Sequence, residues 1–271
     1  MLKKDAVAAR LNSDAGISYT EFSYQILQGL DFLELHRQYD CVLQTGGSDQ
    51  WGNLTSGTDL IHRVEGVSVH AIGTPLITNS DGRKFGKSEG NAIWLDAAMC
   101  SPYRMYQFWL NTDDADVIDR LKVFTFLTRA EIEEIGAAHA AEPFRRIGQR
   151  RIAAEVTALV HGVDAAAAAI AASEALFGQG DLTALDAATL RSAVKELPHA
   201  EVPAGTTVVQ ALVDTGLCAS LGEARRAIGQ GGVSLDGERV AEDTAVVTGA
   251  LPGGVSVLRR GKKTLAGLLV S

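Results

Sequence analysis

Between Cys41 and Thr78 the chain switches between two hydrophobic periods, and this alternation restricts its fold more than any other stretch. Cys41-Val42-Leu43-Gln44 reads as a short buried strand, with Thr45-Gly46-Gly47-Ser48-Asp49-Gln50 as the loop at its carboxyl end. A helix follows from Asn53 to Val64, weakened by Gly57, and Val67 to Ile72 and Pro75 to Thr78 read as further strands. Strand, glycine-rich loop, helix and strand in that order is the rhythm of half a nucleotide-binding α/β domain. In open parallel sheets of this kind, ligands sit outside the carboxyl ends of the strands.

Upstream, Lys3 to Leu11 reads as a short helix and Asn12 to Gly16 as a break. Ser18 or Thr20 can cap a second helix running from about Tyr19 to Leu35, with Phe22, Ile26, Leu27, Leu30 and Leu33 giving much of its apolar face. Tyr24, Gln28 and Asp31 fall four and three residues apart, so they share another face. A hydroxyl, an amide and a carboxylate in one stripe fit two readings. One is a polar wall inside a cleft, where each group needs a partner; the other is a solvent-facing stripe. A doubly wound domain normally carries a glycine-rich turn after its first strand, and nothing before Tyr19 supplies that strand and turn. Either the sheet is small or its first half is missing.

Gly82-Arg83-Lys84-Phe85-Gly86-Lys87-Ser88, followed by Glu89-Gly90-Asn91, places cations and a hydroxyl between glycines. Guanidinium gives a planar fork and ammonium a compact charge on a mobile stem, while glycine lets the loop approach a ligand closely. The loop therefore reads as a clamp over a polyphosphate, stabilising charge during its displacement, or as a solvated basic turn after Asn79-Ser80-Asp81-Gly82.

From Ser101-Pro102-Tyr103 the pattern becomes helical. Tyr103, Tyr106, Phe108 and Trp109 read as core, and Thr128 with Glu131 forms a capping box. Further helices are expected over Asp114 to Phe124, Thr128 to Ala141, Pro143 to Val160 and Asp164 to Phe177. Arg145, Arg146, Arg150 and Arg151 suit either RNA phosphate or solvent-facing pairs with Glu142 and Glu155. Periodicity fades after Gly178, and Pro198, Pro203 and Gly205 suggest a linker. Beyond it, Thr207 and Ser220 cap two short helices, with strands at 232–235, 239–240 and 255–258 and a turn at Asp236-Gly237. Net charge is -8 overall, which argues against indiscriminate coating of nucleic acid. From Thr206 onward, however, seven basic residues face six acidic ones, against eighteen and twenty-seven before it. That asymmetry favours a small domain meeting phosphate backbone. Cys41, Cys100 and Cys218 lack paired metal spacing and read as free thiols in a reducing compartment. The alanine run at Ala165 to Ala169 is too short to span a membrane.

Together these stretches resemble the bacterial tyrosyl-tRNA synthetase family. The resemblance is carried by Ser23 to Asp31, by Gly46-Gly47-Ser48-Asp49-Gln50-Trp51-Gly52-Asn53, by Lys84-Phe85-Gly86-Lys87-Ser88, by Ser101 to Tyr103, and by Tyr106 to Trp109 with Asn111 to Asp114. The end, around Glu223 to Arg226 and Gly231 to Val233, resembles an RNA-binding domain shared with a small-subunit ribosomal protein. The implied fold is α/β. Residues 1–100 form the second half of a Rossmann-like class I catalytic domain, 101–197 a helical tRNA-contacting domain, 198–205 a linker and 206–271 a small α+β RNA-binding domain.

The resemblance implies ligation of L-tyrosine to tRNA(Tyr) with ATP, accompanied by Mg2+, as substrate, in a cytoplasmic homodimer. Tyr24 and Gln28 would hold the tyrosine ammonium, Asp31 would accept from its phenol, and Gln50 would lie beside the amino acid. Gly47 and Asp49 would contact the ribose, while Lys84, Lys87 and Ser88 would act on the phosphates, with Lys87 counted also among the ATP contacts. Arg225, Arg226, Arg259, Arg260, Lys262 and Lys263 would meet RNA, and no residue is assigned to a protein-bound metal. The family carries a His-x-Gly-His element in an earlier segment, and no histidine here precedes His36. The chain is therefore expected to be an N-terminally shortened synthetase, inactive alone; the alternative is a non-catalytic RNA-binding module or regulator.

Overall fold

A computed structural model describes residue 16, residues 18–78, residue 85, and residues 93–177, 180–261 and 264–271. The expected helix at Lys3 to Leu11 lies outside these described residues. The chain divides into two compact units, Met1–Ser88 and Glu89–Ser271.

In the first unit, helix α1 (Tyr19–Tyr39) leads to strand β1 (Leu43–Gly47), a 3-10 turn (Ser48–Gln50), helix α2 (Trp51–Glu65) and strand β2 (His70–Thr74). The strands are parallel, paired from Leu43 with His70 to Gly47 with Thr74. Parallel neighbours require a crossover, and α2 supplies it. Asp40 ends α1 with φ 53° and Gly66 ends α2 with φ 72°, each a left-handed residue that turns the chain out of its helix.

The α1–α2 contact differs from the face expected from periodicity. Ile26, Leu27 and Leu30 are largely exposed, and the buried seam runs through Gln25, Gly29 and Phe32 instead. Close approach of two backbones explains the change. A Cβ on Gly29 would stand 3.5 Å from the Gly57 backbone, and one on Gly57 would stand 2.8 Å from Phe32 Cδ1. Phe32, Leu33 and Ile61 form a small core there, with Cys41, Leu60 and Val69 against it. The strand also lies further along than expected. Gly46 and Gly47, read as loop, complete the ladder because they face Gly73 and Thr74 without side-chain interference.

The second unit begins with helices α3 (Pro102–Leu110), α4 (Val117–Phe124), α5 (Arg129–Ala141), α6 (Ile147–His161), α7 (Val163–Phe177) and α8 (Ala187–Lys195). Ser101 caps α3 by accepting from the Arg104 N–H at 3.1 Å, and Thr128 with Glu131 forms both halves of the expected capping box on α5. Tyr103, Tyr106 and Trp109 are buried as expected. Burial, followed by the charge of Glu196, pushes the Tyr103 phenol upward.

The rest is a five-stranded sheet in the order β3-β7-β6-β4-β5, from β3 (His199–Val202), β4 (Val233–Leu235), β5 (Glu238–Arg239), β6 (Val255–Arg260) and β7 (Thr264–Val270). Helices α9 (Val208–Asp214) and α10 (Leu221–Gly229) complete it, capped by Thr207 and Ser220 as expected. Here the linker expectation fails. His199–Val202 is an edge strand parallel to β7, and Pro198 and Pro203 bound it because proline is tolerated at the ends of edge strands. Unexpected from the sequence, β7 and α8 pack on one another: a Cβ on Gly267 would run into Val194. The core gathers Val208, Leu212, Val247, Leu258, Ala266 and Leu268, each with no exposed surface.

Candidate active site

The carboxyl end of β1 turns sharply into α2. Gly47 is hemmed in, since a Cβ would stand 2.8 Å from Asp49 Oδ1 and 3.0 Å from Leu76 Cδ2. A side chain at Gly73 would meet the Trp51 ring at 3.2 Å. Glycine at these two strand ends therefore makes room for Asp49, Leu76 and Trp51, which pack against the backbone. Asp49 is exposed on the 3-10 turn and Gln50 closes it, half-buried.

Asn53, in the first turn of α2, joins this loop to α1. Its Nδ2 donates to Gln28 Oε1 at 3.0 Å and to Gln50 Oε1 at 3.0 Å. Gln28 and Gln50, expected to share one site, are therefore brought to a common partner. Tyr24 and Asp31 lie one turn to either side of Gln28 on α1, and both are exposed. Among the described residues, neither side chain takes a hydrogen bond or ion pair. Below this polar end, Gln25 is buried and its Nε2 donates to the Gly52 carbonyl at 2.6 Å and to Ser56 Oγ.

Lys84, Lys87 and Ser88 lie outside the described residues, as do Lys262 and Lys263. Within the basic loop Phe85 is described, and its N–H donates to the Ile77 carbonyl at 3.0 Å. Among the described residues, no group of three or more His, Cys, Asp or Glu could hold a metal ion, and no helix is long and apolar enough to cross a membrane. The three cysteines are unpaired thiols.

The C-terminal arginines divide by environment. Arg260 donates to the Leu217 carbonyl at 2.5 Å and to Glu223 Oε1 at 2.7 Å. Glu223 raises the Arg260 guanidinium above its ordinary value, and the Ala219 N–H, then Arg260, hold Glu223 below the usual carboxylate range. Arg259 reaches the Leu176 carbonyl at 2.8 Å. On the exposed face of α10, Arg225 stands 3.5 Å from Asp243, and Arg226 has no ion pair among the described residues. Arg145 pairs with Glu142 and Arg151 with Glu155, both at 2.8 Å, as one of the two readings expected. Arg239, not singled out from sequence, lies over Gly231, where a Cβ would run into its guanidinium.

Sequence reasoning also missed Gln25 and the linking role of Asn53. A signal for the second was present. Asn53 follows Gln50 by three residues, and an amide at that spacing on a helix start can reach back to it.

Residues 1–178 match the family model described as tRNA synthetases class I (W and Y), and residues 189–266 match the tyrosine–tRNA ligase SYY-like C-terminal domain. The chain belongs to the tyrosyl-tRNA synthetase family. A tyrosine–tRNA ligase of Leifsonia xyli subsp. xyli is 72% identical over 100% of this chain and 62% of its own length. One from Streptomyces avermitilis is 58% identical over 100% of the chain and 65% of its own length. The chain thus spans less than two thirds of these relatives. Among solved structures, a C-terminally truncated mitochondrial tyrosyl-tRNA synthetase from Aspergillus nidulans matches with a TM-score of 0.56 and 34% identity, over 65% of this chain and 50% of that one. Membership in this family agrees with the α/β architecture read from the alternation at Cys41 to Thr78.

Proposed function

We propose that this chain supplies the amino-acid- and ribose-facing side of a tyrosine–tRNA ligase site, together with RNA-contacting segments. The single observation that carries the reading is the pair of bonds from Asn53, which hold Gln28 of α1 and Gln50 of the strand-end loop on one polar surface. In this reading Tyr24 and Gln28 hold the ammonium of L-tyrosine, and Gln50 flanks the amino acid. Asp31 accepts from the phenol, and the exposed carboxylate fits that task. A polar partner that the bound amino acid covers from water discriminates against phenylalanine, which would leave it unsatisfied. Gly47 and Asp49 take the ribose of ATP.

The tyrosine carboxylate then attacks the α-phosphate of ATP. A carboxylate oxygen–phosphorus bond forms, the bond to the β-phosphate bridging oxygen breaks, and pyrophosphate leaves. Lys84, Lys87 and Ser88 stabilise the charge that develops on it, with Mg2+ arriving on the nucleotide. In the second step the terminal adenosine hydroxyl of tRNA(Tyr) attacks the acyl carbon and releases AMP. Neither step needs a protein nucleophile, since orientation and electrostatic stabilisation supply the rate.

Residues 1–100 carry this chemistry, while residues 101–197 and 206–271 contact tRNA. On the last of these segments the exposed Arg225 and Arg226 face phosphate, and Lys262, Lys263, Arg259 and Arg260 add to the positive charge. The working form is a cytoplasmic homodimer.

The test is tyrosine-dependent ATP–pyrophosphate exchange by this chain and by the chain joined to the part of the Leifsonia relative outside the match. Exchange in the joined form, reduced about a hundredfold or more by Lys87→Ala with tRNA affinity kept, supports the assignment. Absence of exchange in both forms refutes it, and equal loss of exchange and tRNA binding removes the role given to the loop.

A further inference from the structure

We infer that Asn53 is a positioning residue that sets which way the amides of Gln28 and Gln50 are turned, and so fixes the pattern of donors and acceptors a ligand meets. The ligand's identity as tyrosine rests on the reading above; the positioning does not.

A side-chain amide has two N–H donors and one oxygen. Asn53 Nδ2 uses both protons, one on each glutamine oxygen, each at 3.0 Å. Turning Asn53 over would set its own oxygen against two carbonyl oxygens. Turning either glutamine over would set one NH2 group against another. The three amides can therefore turn only together: Asn53 donates to both glutamine oxygens, as here, or accepts from both NH2 groups, and any amide turned alone leaves partly buried polar atoms unsatisfied.

What this arrangement displays is specific. Gln28 Nε2 and Gln50 Nε2 have no partner among the described residues, so both keep N–H donors for a ligand oxygen such as a carboxylate. Each glutamine oxygen also keeps its second lone pair, and the one on Gln28 can accept from an ammonium. An α-amino acid carries both groups side by side. Reversed amides would offer the same atoms in exchanged places.

The frame beneath Asn53 does not depend on it. Gln25 grips Gly52 and Ser56, on either side of Asn53 along α2. The helices also touch directly where Gly29 meets Gly57. A change at Asn53 therefore reorients the glutamines without separating α1 from α2.

Asn53→Asp and Asn53→Ala in the full chain separate positioning from packing. A carboxylate accepts and does not donate, so in Asn53→Asp both glutamines must turn their NH2 groups toward it. In 15N spectra of the side-chain amides, the parent should show slowly exchanging Asn53 protons and fast-exchanging Gln28 and Gln50 protons. In Asn53→Asp both glutamine signals should move and become protected, while in Asn53→Ala both should stay fast. L-Tyrosine affinity should fall about tenfold in Asn53→Asp and less in Asn53→Ala, with the two variants sharing one melting temperature. Glutamine signals unmoved in Asn53→Asp, or movement of only one, would overturn the proposal. So would equal tyrosine losses that simply follow a loss of thermal stability. If the parent takes up no tyrosine, the ligand assignment fails while the amide spectra still decide the positioning.

Discussion

The α1–α2 pair and the C-terminal sheet are held by opposite means. Under the sheet, Val208, Leu212, Val247, Leu258 and Leu268 are fully buried among aliphatic neighbours. Between α1 and α2 the described apolar core is Phe32, Leu33 and Ile61 with Cys41, Leu60 and Val69 against it, and beside it run a glycine contact and a series of side-chain amide hydrogen bonds. Apolar burial is non-directional and scales with area, so it stabilises without specifying the direction of any one group. Amide bonds contribute less but fix which atom faces which. The region that displays Gln28, Gln50, Tyr24 and Asp31 is thus the one whose contacts encode direction.

The largest effect should come from cutting into the sheet core. Leu258 has no exposed surface and lies opposite Leu235 on β4 and Ala266 on β7. Leu258→Ala should cost about 2–5 kcal/mol, read as a lower urea midpoint followed by signals from β6 and β7. If the loss stays well under 1 kcal/mol, the contrast between an apolar and an amide-held region breaks at its apolar end.

Next comes Gly57→Ala, which asks whether the helix seam tolerates one methyl group. Alanine improves helix propensity by about 1 kcal/mol over glycine. Against that, its Cβ would stand 2.8 Å from Phe32 Cδ1 and 3.3 Å from Phe32 Cβ. Phe32 is fully buried, so it has little room to give, and overpacking costs about 1–3 kcal/mol. The expected result is net destabilisation, with faster amide hydrogen exchange in α1 and α2 and unchanged exchange in β6 and β7. Stabilisation instead would mean that the two helices are not held at glycine distance.

This contrast also marks how far the fold and the site were legible in the sequence. Features governed by neighbours along the chain were readable: the Thr128 capping box, the caps at Thr207 and Ser220, the Asp236-Gly237 turn, and the α/β alternation. Features set by a partner far away in sequence were not. The helix face at Ile26, Leu27 and Leu30 obeys the right period, yet the buried side of α1 is the one with glycine, because Gly57 permits close approach only there. His199–Val202 looked like a linker because its own residues carry no strong period; pairing with β7 makes it a strand. At the site, the spacing of Tyr24, Gln28 and Asp31 gave a shared helix face, and Asn53 carries that face to Gln50. The uses of Arg259 and Arg260 depend on Leu176, Leu217 and Glu223, and no local pattern announces those contacts.

The smallest expected effect tests whether direction can also matter inside the apolar region. Asp236 and Gly237 join β4 to β5 with φ of 52° and 90°, the two left-handed residues that a tight hairpin turn requires. The Asp236 carboxylate accepts from the Val257 N–H at 2.7 Å and from Ser256 Oγ at 2.9 Å. Burial nevertheless raises its pKa above the ordinary carboxylate value, outweighing both bonds. A carboxyl with a raised folded-state pKa contributes its stability in full below the unfolded value and loses it as pH rises through the folded one. Asp236→Asn keeps an acceptor for Val257, tolerates the left-handed backbone, and carries no charge at any pH. The Ser256 hydroxyl can rotate to suit either atom of the new amide. Stability measured by urea unfolding should therefore shift in favour of the variant as pH rises from about 4 to about 7. A shift toward the parent over that interval would mean that the two hydrogen bonds outweigh burial, and that this turn belongs with the directional contacts of α1 and α2.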